Sequence, residues 1–410
     1  MSAERLPRAG LGLLLVATLF TLFLGFAHKS LCLHGTFDER AYRDDCYTDL
    51  VPIYRSHGLV EREMPYLDAP NEYPVGTAMF MWLASLPVRG EGAFFLANVV
   101  GLAVLALATA WLLFRTAGWR ALLFALAPSL ALYAFLNWDL LPVALTAAGL
   151  VAFLRRRDAM AGSLLGLAVA AKVYPILVLV PVCLDRVRTG DRRGAMRLGL
   201  AGIIAWVVVD VPFAALAPAR WSFFFRFSSA RAPTPGTVWH VTCALVGHAG
   251  CLSIHSINVL SLIVFLVGIL IVTRATLRCP EPPAAWTLAF PVLVLFLLTS
   301  KVYSPQYSLW LLPFFVLVMP DFRLFALFEI ADAAVFLTEF SWIGHQQSGI
   351  SVSPWPLAIA VAFRSAVLLG ILVTYVRRGP TPLELSDQAL SNTSPSGSSY
   401  TRRQPGSIRI

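Results

Sequence analysis

Long apolar runs recur along almost the whole chain, and they limit the fold more than any other feature of the sequence. They span residues 10–28, 93–114, 119–136, 139–154, 195–216, 255–273, 284–299, 306–319, 322–340 and 355–376. A helix needs about 20 mostly apolar residues to cross the hydrocarbon core of a bilayer, and these runs are close to that length. Hydrophobic residues make up 58% of the chain and charged residues only 13%, which excludes an ordinary soluble domain. The sequence therefore predicts an all-α polytopic protein with about 10–12 transmembrane helices.

Clusters of arginine between the apolar runs predict the side on which each loop lies. Short loops rich in Arg and Lys stay in the cytoplasm, so we expect both termini inside and two long loops, residues 29–92 and 218–254, outside the plasma membrane. The net charge of +9 then reports orientation rather than nucleic-acid binding. The clusters are Arg5 and Arg8, Arg115 and Arg120, Arg155–Arg157, Arg186–Arg197, Arg274 and Arg278, Arg323, and Arg377 and Arg378.

Prolines and short segments indicate where the regular pattern of crossings is interrupted. Residues 159–184 have arginines at both ends, so the chain must cross the membrane an even number of times between them. The segment is only about long enough for one ordinary span, so we predict two short helices that meet at Lys172–Pro175. Residues 74–88 are predicted to form a helix on the outer membrane surface. One transmembrane domain, 1–378, would then precede a disordered cytoplasmic tail, 379–410, that is rich in Ser, Pro, Thr and Gln.

The first long loop carries an acidic stretch that offers a candidate general base. Asp44, Asp45 and Asp49 lie close together there, and neighbouring carboxylates raise each other's proton affinity. In a helix Asp45 and Asp49 would share one face. A base of this kind takes the proton from a hydroxyl as that hydroxyl attacks. The alternative is structural: in TDLVP, Asp49 could cap a helix that has Pro52 in its first turn.

Lysine is rare in this chain, and two of its three lysines lie in the same context. Lys172 and Lys301 each begin the tripeptide KVY, which is followed by Pro175 in one case and by Pro305 shortly after in the other. A lysine before the N-terminus of a helix makes a favourable site for phosphate. Alternatively, each lysine ends the incoming helix and extends to the membrane interface. We call these two segments the KVY corners, because in each a helix is expected to end at the lysine and the next to begin at the proline. Their expected position on the same side of the membrane favours the binding of a phosphate-bearing lipid.

Other polar residues of the predicted outer face have weaker signals. Asn137 and Asp139 could bind sugar hydroxyls or a metal, or could cap the next helix. Arg231 and His240 could hold a phosphate or an acceptor. No glycine-rich nucleotide loop and no zinc spacing is present, so no cofactor is predicted, although a divalent metal would be compatible with these residues.

Four of the six cysteines fall in the predicted outer loops, where disulfides can form. They are Cys32, Cys46, Cys243 and Cys251. One or two disulfides are expected among them, and the sequence leaves their pairing open.

Five segments occur in an order that resembles a known family. They are CYTDLVPIY, MPYLDAPNEYPVGTAMFMW, GLAVAAKVYPILVLVP, FFFRFSSARAPTPGTVWHV and SKVYSPQYSLWLLP, and they span roughly residues 35–320. The chain resembles membrane glycosyltransferases of the GT-C class, in particular glycosyltransferase family 87. This resemblance implies a GT-C fold, surface helices in the first outer loop, and an inverting enzyme whose active site faces the exterior. It also implies a polyprenyl-phosphate sugar donor, with mannose favoured over arabinose, and an envelope lipid or glycan as acceptor.

The resemblance also assigns expected roles to individual residues. Asp49 becomes the first choice for the catalytic base, with Asp45 and Asp44 as the alternatives. Lys172, Lys301 and Arg231 are expected at the donor phosphate. The expected pocket residues are Glu72, Tyr73, Asp139, Tyr174, His240, Gln306 and Tyr307.

Two other classes of function remain open at this point. A lipid or sugar transporter, or a flippase, would also be rich in membrane helices, but it is expected to place polar residues near the midplane and to contain related halves. A catalytically inactive relative could instead serve as a scaffold in envelope assembly.

Overall fold

The computed structural model describes residues 8–35, 37–247 and 250–381, and the regular structure of these residues is helical. The predicted tail beyond Thr381 lies outside the described residues. An isolated bridge between Pro65 and Ala69 is the one β-type pairing of the described residues. The helices are α1 Arg8–Ser30, α2 Phe37–Arg40, α3 Leu50–Ser56, α4 Val75–Ser85, α5 Glu91–Ala117, α6 Leu122–Ala125, α7 Pro128–Tyr133, α8 Leu140–Leu154, α9 Asp158–Ala171, α10 Ile176–Arg188, α11 Arg192–Leu216, α12 Pro218–Trp221, α13 Phe223–Ala230, α14 Val238–Val246, α15 Ile254–Leu277, α16 Ala289–Thr299, α17 Leu312–Leu317, α18 Phe322–Gln347 and α19 Trp355–Arg378.

Five helical stretches of the described chain are long and apolar enough to cross a membrane. They are Ala9–Leu33, Glu91–Ala125, Arg192–Leu216, Ile254–Leu277 and Trp355–Arg378. Many large apolar side chains of these helices are exposed, as on α15 and α11, which suits a surface whose solvent is lipid rather than water. The prediction of an all-α, multi-pass membrane protein is confirmed.

Of the remaining apolar runs, residues 322–340 lie in the 26-residue helix α18, and the others form shorter helices that are largely buried in the bundle. Residues 119–136 do not form one span: Pro128 begins the separate helix α7, since proline lacks the N–H that would continue α6. Glu329 accepts hydrogen bonds from the Ser129 N–H at 2.7 Å and from its hydroxyl at 2.9 Å, and so satisfies the broken helix end. As predicted, α9 and α10 are two short helices that meet at Lys172–Pro175.

Helices α9 and α11 pack at unusually short range because glycines lie at their contact. A Cβ on Gly162 would overlap the carbonyl of Leu198, and a Cβ on Gly166 would overlap the carbonyl of Gly202. Small residues four apart allow backbones to approach in this way within membranes. This close pairing fixes α9, whose last residue directly precedes Lys172.

The first long loop, residues 29–92, is held against the bundle at several points. The Cys32–Cys46 disulfide joins the loop to the end of α1, and a second disulfide joins Cys243 to Cys251. The Asp49 N–H donates to the carbonyl of Leu136 at 2.8 Å, and the Thr48 hydroxyl donates to the carbonyl of Phe135 at 2.7 Å. These bonds place the start of α3 beside residues 135–137.

Candidate active site

A cavity of about 280 Å³ lies where the first long loop meets the segments around residues 137, 172, 231 and 306. Two carboxylates and two cations face it, together with aromatic and amide side chains. The lining residues are Tyr47, Asp49, Glu72, Tyr73, Pro74, Asn137, Lys172, Phe224, Phe227, Ser228, Arg231, Ser304, Gln306 and Tyr307. Segments far apart in the chain thus contribute to one polar pocket.

Asp49 directly precedes α3, but its side chain does not cap that helix. One carboxylate oxygen accepts the Tyr47 hydroxyl proton at 2.8 Å, and the other accepts from the Asn137 amide at 2.5 Å. Burial raises the pKa of Asp49 above its ordinary value, while the bonds from Tyr47 and Asn137 oppose the rise. Asp49 is therefore a positioned carboxylate with raised proton affinity, which suits a general base.

The other two predicted acids lie outside the cavity lining. Asp44 is held at the surface by Arg40 at 2.7 Å and Arg43 at 2.9 Å, and the bonds from Arg43 and Arg40 lower its pKa to about 2. Asp45 adopts a left-handed backbone conformation with φ of 53°, and burial raises its pKa. Of the three aspartates, Asp49 is the one that faces the cavity.

Tyr73 and Glu72 extend the network around Asp49. The Asn137 amide donates to the Tyr73 hydroxyl at 2.9 Å as well as to Asp49, so one side chain aligns both groups. Glu72 lines the same cavity, and burial followed by the nearby charge of Asp49 raises its pKa. Within the described residues, no group of three or more His, Cys, Asp and Glu side chains is arranged to hold a metal ion.

Lys172 faces the cavity from the first KVY corner. Its ammonium lies 3.2 Å from a carboxylate oxygen of Asp139, and the other oxygen of Asp139 accepts from the Trp310 indole at 2.7 Å. Burial favours neutral Lys172, but the charge of Asp139, the neighbouring Tyr307, the hydrogen bond to Asp139 and the charge of Asp49 together outweigh burial and raise its pKa. Asp139 therefore binds Lys172 and Trp310 and does not cap α8 with its side chain.

The second KVY corner supports the cavity from behind. The Lys301 ammonium donates to the carbonyl of Ser229 at 2.8 Å, and the Thr234 N–H donates to the Lys301 carbonyl at 3.0 Å. Lys301 is not among the lining residues, whereas Arg231, on the segment that Lys301 holds, is. Burial followed by the charge of Arg231 lowers the pKa of Lys301. The two lysines are thus not brought together at the cavity surface.

The remaining predicted residues are placed at different depths. Gln306 and Tyr307 line the cavity. Tyr174 lies behind it and stacks on Trp310 with 4.0 Å between ring centroids. His240 is not a lining residue; it packs edge-on against Trp342, and its Nε2 has no hydrogen-bond partner in the part of the chain that the structure describes.

Sequence reasoning missed three groups in and near the site. Tyr47, Phe224 and Phe227 line the cavity, and the position of Tyr47 two residues before Asp49 was the available signal. Trp310 lies within the segment SKVYSPQYSLWLLP, which by itself predicts no role for this side chain. Lys29, the third lysine, is fully buried between Phe336 and Phe340, with its ammonium 5.3 and 5.7 Å from the ring centroids.

Comparison with known proteins places this chain in a family. Two solved structures resemble it, the crystal structures of ArnT from Cupriavidus metallidurans bound to undecaprenyl phosphate and in the apo state. Both are 13% identical to this chain. The match to the first has a TM-score of 0.47 and covers 93% of this chain and 78% of the ArnT chain. The match to the second has a TM-score of 0.42 and covers 88% of this chain and 77% of the ArnT chain. No curated protein matches the chain. The family model of glycosyltransferase family 87 matches residues 73–301, more than half of the chain. The chain therefore belongs to glycosyltransferase family 87, in agreement with the resemblance of its motifs.

Proposed function

We propose that this membrane glycosyltransferase moves a sugar from a polyprenyl-phosphate donor to a cell-envelope lipid or glycan on the outer face of the membrane. Mannose is the favoured sugar and arabinose the second. The observation that carries the proposal is that one cavity presents both Asp49 and the cations Lys172 and Arg231. Such a site combines a base for the acceptor with positive charge for a phosphate leaving group.

The proposed reaction is a single displacement with inversion at the anomeric carbon. The acceptor oxygen forms a bond to that carbon while the bond from the carbon to the phosphate oxygen breaks. The proton of the acceptor hydroxyl goes to Asp49, and the electron pair of the broken bond leaves with the polyprenyl phosphate. Tyr47 and Asn137 fix both oxygens of Asp49, which holds the base in one orientation.

Lys172 and Arg231 have the charge that a leaving phosphate requires. Hydrogen bonds between cations and phosphate are the strong ones in proteins, and they strengthen as negative charge develops. Lys172 also lies within 5.4 Å of the Tyr73 ring centroid and 5.2 Å of the Tyr307 ring centroid, which restricts the positions of its ammonium. Lys301 takes part by holding the segment that carries Arg231.

Transfer by purified membranes tests the proposal directly. Membranes that contain the wild-type chain or Asp49→Asn are incubated with labelled polyprenyl-phosphate-mannose and extracted envelope lipids, and then with the arabinose donor. We expect Asp49→Asn to lower the transfer rate by about 10²–10⁴, the usual contribution of a general base, with donor binding retained. Asp45→Asn is the matched control, since Asp45 lies four residues earlier and outside the cavity lining.

The same experiment separates the proposal from its two rivals. A transporter or flippase would move labelled donor across the bilayer, and neither the wild-type nor the Asp49→Asn membranes would form a glycosylated product. A scaffold would form no glycosylated product in either the wild-type or the Asp49→Asn membranes. Full transfer activity in Asp49→Asn would refute the assignment of the base while leaving family membership intact.

A further inference from the structure

Two adjoining cavities lie at the end of the bundle opposite the candidate active site. Asp139 directly precedes α8, and Leu154 ends it about 20 Å away along the helix axis. Leu154 borders both cavities, which have volumes of about 700 and 540 Å³ and share a wall formed by Pro283, Ala284 and Trp286. Neither cavity contains a residue of the active-site lining.

The rim of these cavities is basic. Arg377 and Arg378 lie on the rim of the larger cavity, and Arg156 and Arg188 on the rim of the smaller one. Among the described residues, Arg156, Arg188 and Arg377 have no carboxylate within ion-pair distance, whereas Arg378 lies 4.0 Å from Asp321. Arg188 donates one long hydrogen bond, of 3.5 Å, to the carbonyl of Pro283, so all three of these arginines keep guanidinium N–H groups for a ligand.

The two acidic residues at the rim offset only part of the charge of the three arginines that have no ion pair. Glu281 borders the larger cavity and Asp185 the smaller one. Asp185 accepts a backbone hydrogen bond from Trp286 at 3.3 Å, and the fifth arginine, Arg186, is paired with Asp158 at 2.7 Å. An anion is therefore the complementary ligand.

The walls of the larger cavity are apolar and lie beside membrane helices. Leu317, Trp286 and Val376 form part of them. Arg377 and Arg378 are the last two residues of the membrane helix α19, and the larger cavity also includes Thr276 near the end of α15. A cavity with a cationic rim and apolar walls at the ends of two membrane helices suits a molecule with one anionic phosphate and acyl chains.

We propose that these two cavities bind an anionic phospholipid, with its phosphate at the rim formed by Arg156, Arg188 and Arg377 and its acyl chains against the apolar walls. Charge complementarity selects an anionic lipid over a zwitterionic one. The apolar walls select a lipid over a soluble phosphate. This site is separate from the proposed donor site and does not depend on which sugar is transferred.

Lipid titration of the purified full-length protein in mild detergent tests the site. Native mass spectrometry counts bound molecules as phosphatidylglycerol, phosphatidylcholine or soluble glycerol 3-phosphate is added. The variants are Arg377→Gln, Arg188→Gln and the double change. Arg193→Gln is the control, because Arg193 is also exposed, lies in the first turn of α11 five residues after Arg188, and borders neither cavity.

The expected result is tight binding of phosphatidylglycerol alone. Each of the two substitutions should weaken it about fivefold, and the double change about 25-fold, since one arginine near anionic lipid contributes about 1 kcal/mol. Arg193→Gln should bind like wild type, and equal thermal unfolding midpoints in lipid-free detergent would show that all variants are folded. Equal binding of phosphatidylcholine, equal binding of glycerol 3-phosphate, or unchanged binding in the double variant would each overturn the proposal.

Discussion

The ion pair between Lys172 and Asp139 allows its contribution to stability to be separated from its proposed role at the donor phosphate. Asp139 is fully buried, with side-chain exposure of 0%, while Lys172 retains 13% exposure through the cavity. Lys172→Met would leave the Asp139 carboxylate with the Trp310 indole as its remaining hydrogen-bond donor, so we expect a loss of about 3–5 kcal/mol in unfolding free energy. Asp139→Asn should cost less, because the ammonium that remains still reaches the cavity.

The double variant Lys172→Met/Asp139→Asn removes both charges, so its unfolding free energy should return to within about 1–2 kcal/mol of wild type. Thermal unfolding in detergent measures this cycle. The transfer rate of the double variant should nevertheless be about 10²–10³ times lower than that of wild type, because no ammonium remains to stabilise the leaving phosphate. Asp139→Asn, which retains the ammonium, should be the more active single variant. A stable double variant with normal transfer would refute the phosphate role of Lys172, and a double variant as unstable as the sum of the single changes would refute the assigned pairing.

Three further predictions concern pH, the first loop and helix packing. Because Asp49 must be ionised to act as a base, transfer should fall as pH decreases through its pKa, which burial raises above the ordinary value of about 3.9. The hydrogen bond from Asn137 opposes that rise, so Asn137→Ala should move this acid limb of the pH–rate profile to higher pH. Reduction of the Cys32–Cys46 disulfide, whose sequence separation is 14, should cost about 3 kcal/mol in a chain-entropy estimate, seen as a lower unfolding midpoint. Gly162→Ala should cost about 1–3 kcal/mol by forcing α9 from α11, whereas a Cβ on Gly370 meets nothing within 4 Å, and Gly370→Ala should show no loss from overlap.

Apolar length and proline position allowed much of the fold to be predicted. The multi-pass helical class followed from runs near the length of a bilayer, and the break at Lys172–Pro175 followed from the missing N–H of Pro175. The break at Pro128 follows the same rule, but the long apolar run on both sides of it predicts a single span. Its stability depends on Glu329, which lies 200 residues away, so no local pattern could have revealed the partner.

The composition of the site was only partly predictable for the same reason. Asp49 and Glu72 lie on one loop whose polar character is plain in the sequence. Whether Asp49 caps α3 or faces a cavity depends on Asn137, 88 residues away. The position of Lys301 behind the cavity depends on the carbonyl of Ser229, which carries no side-chain signal. Local repetition of KVY therefore predicted two similar corners, and long-range contacts made them unlike.

Trp310 has a consequence for how the site can respond to its substrates. Its ring lies between Tyr174 and Tyr307, with centroids 4.0 Å away on both sides, and its indole N–H is bonded to Asp139. Each stacked pair adds about 0.5–1.5 kcal/mol beyond burial. A shift of either KVY corner would have to slide one ring past another and break the hydrogen bond from the Trp310 indole to Asp139. The two corners should therefore move together as one rigid unit. Entry and release of a lipid-linked sugar would then be accommodated by the part of the lining formed by Phe224 and Phe227, which are only half-buried. The distance between the Lys172 and Gln306 backbones should stay constant through the catalytic cycle.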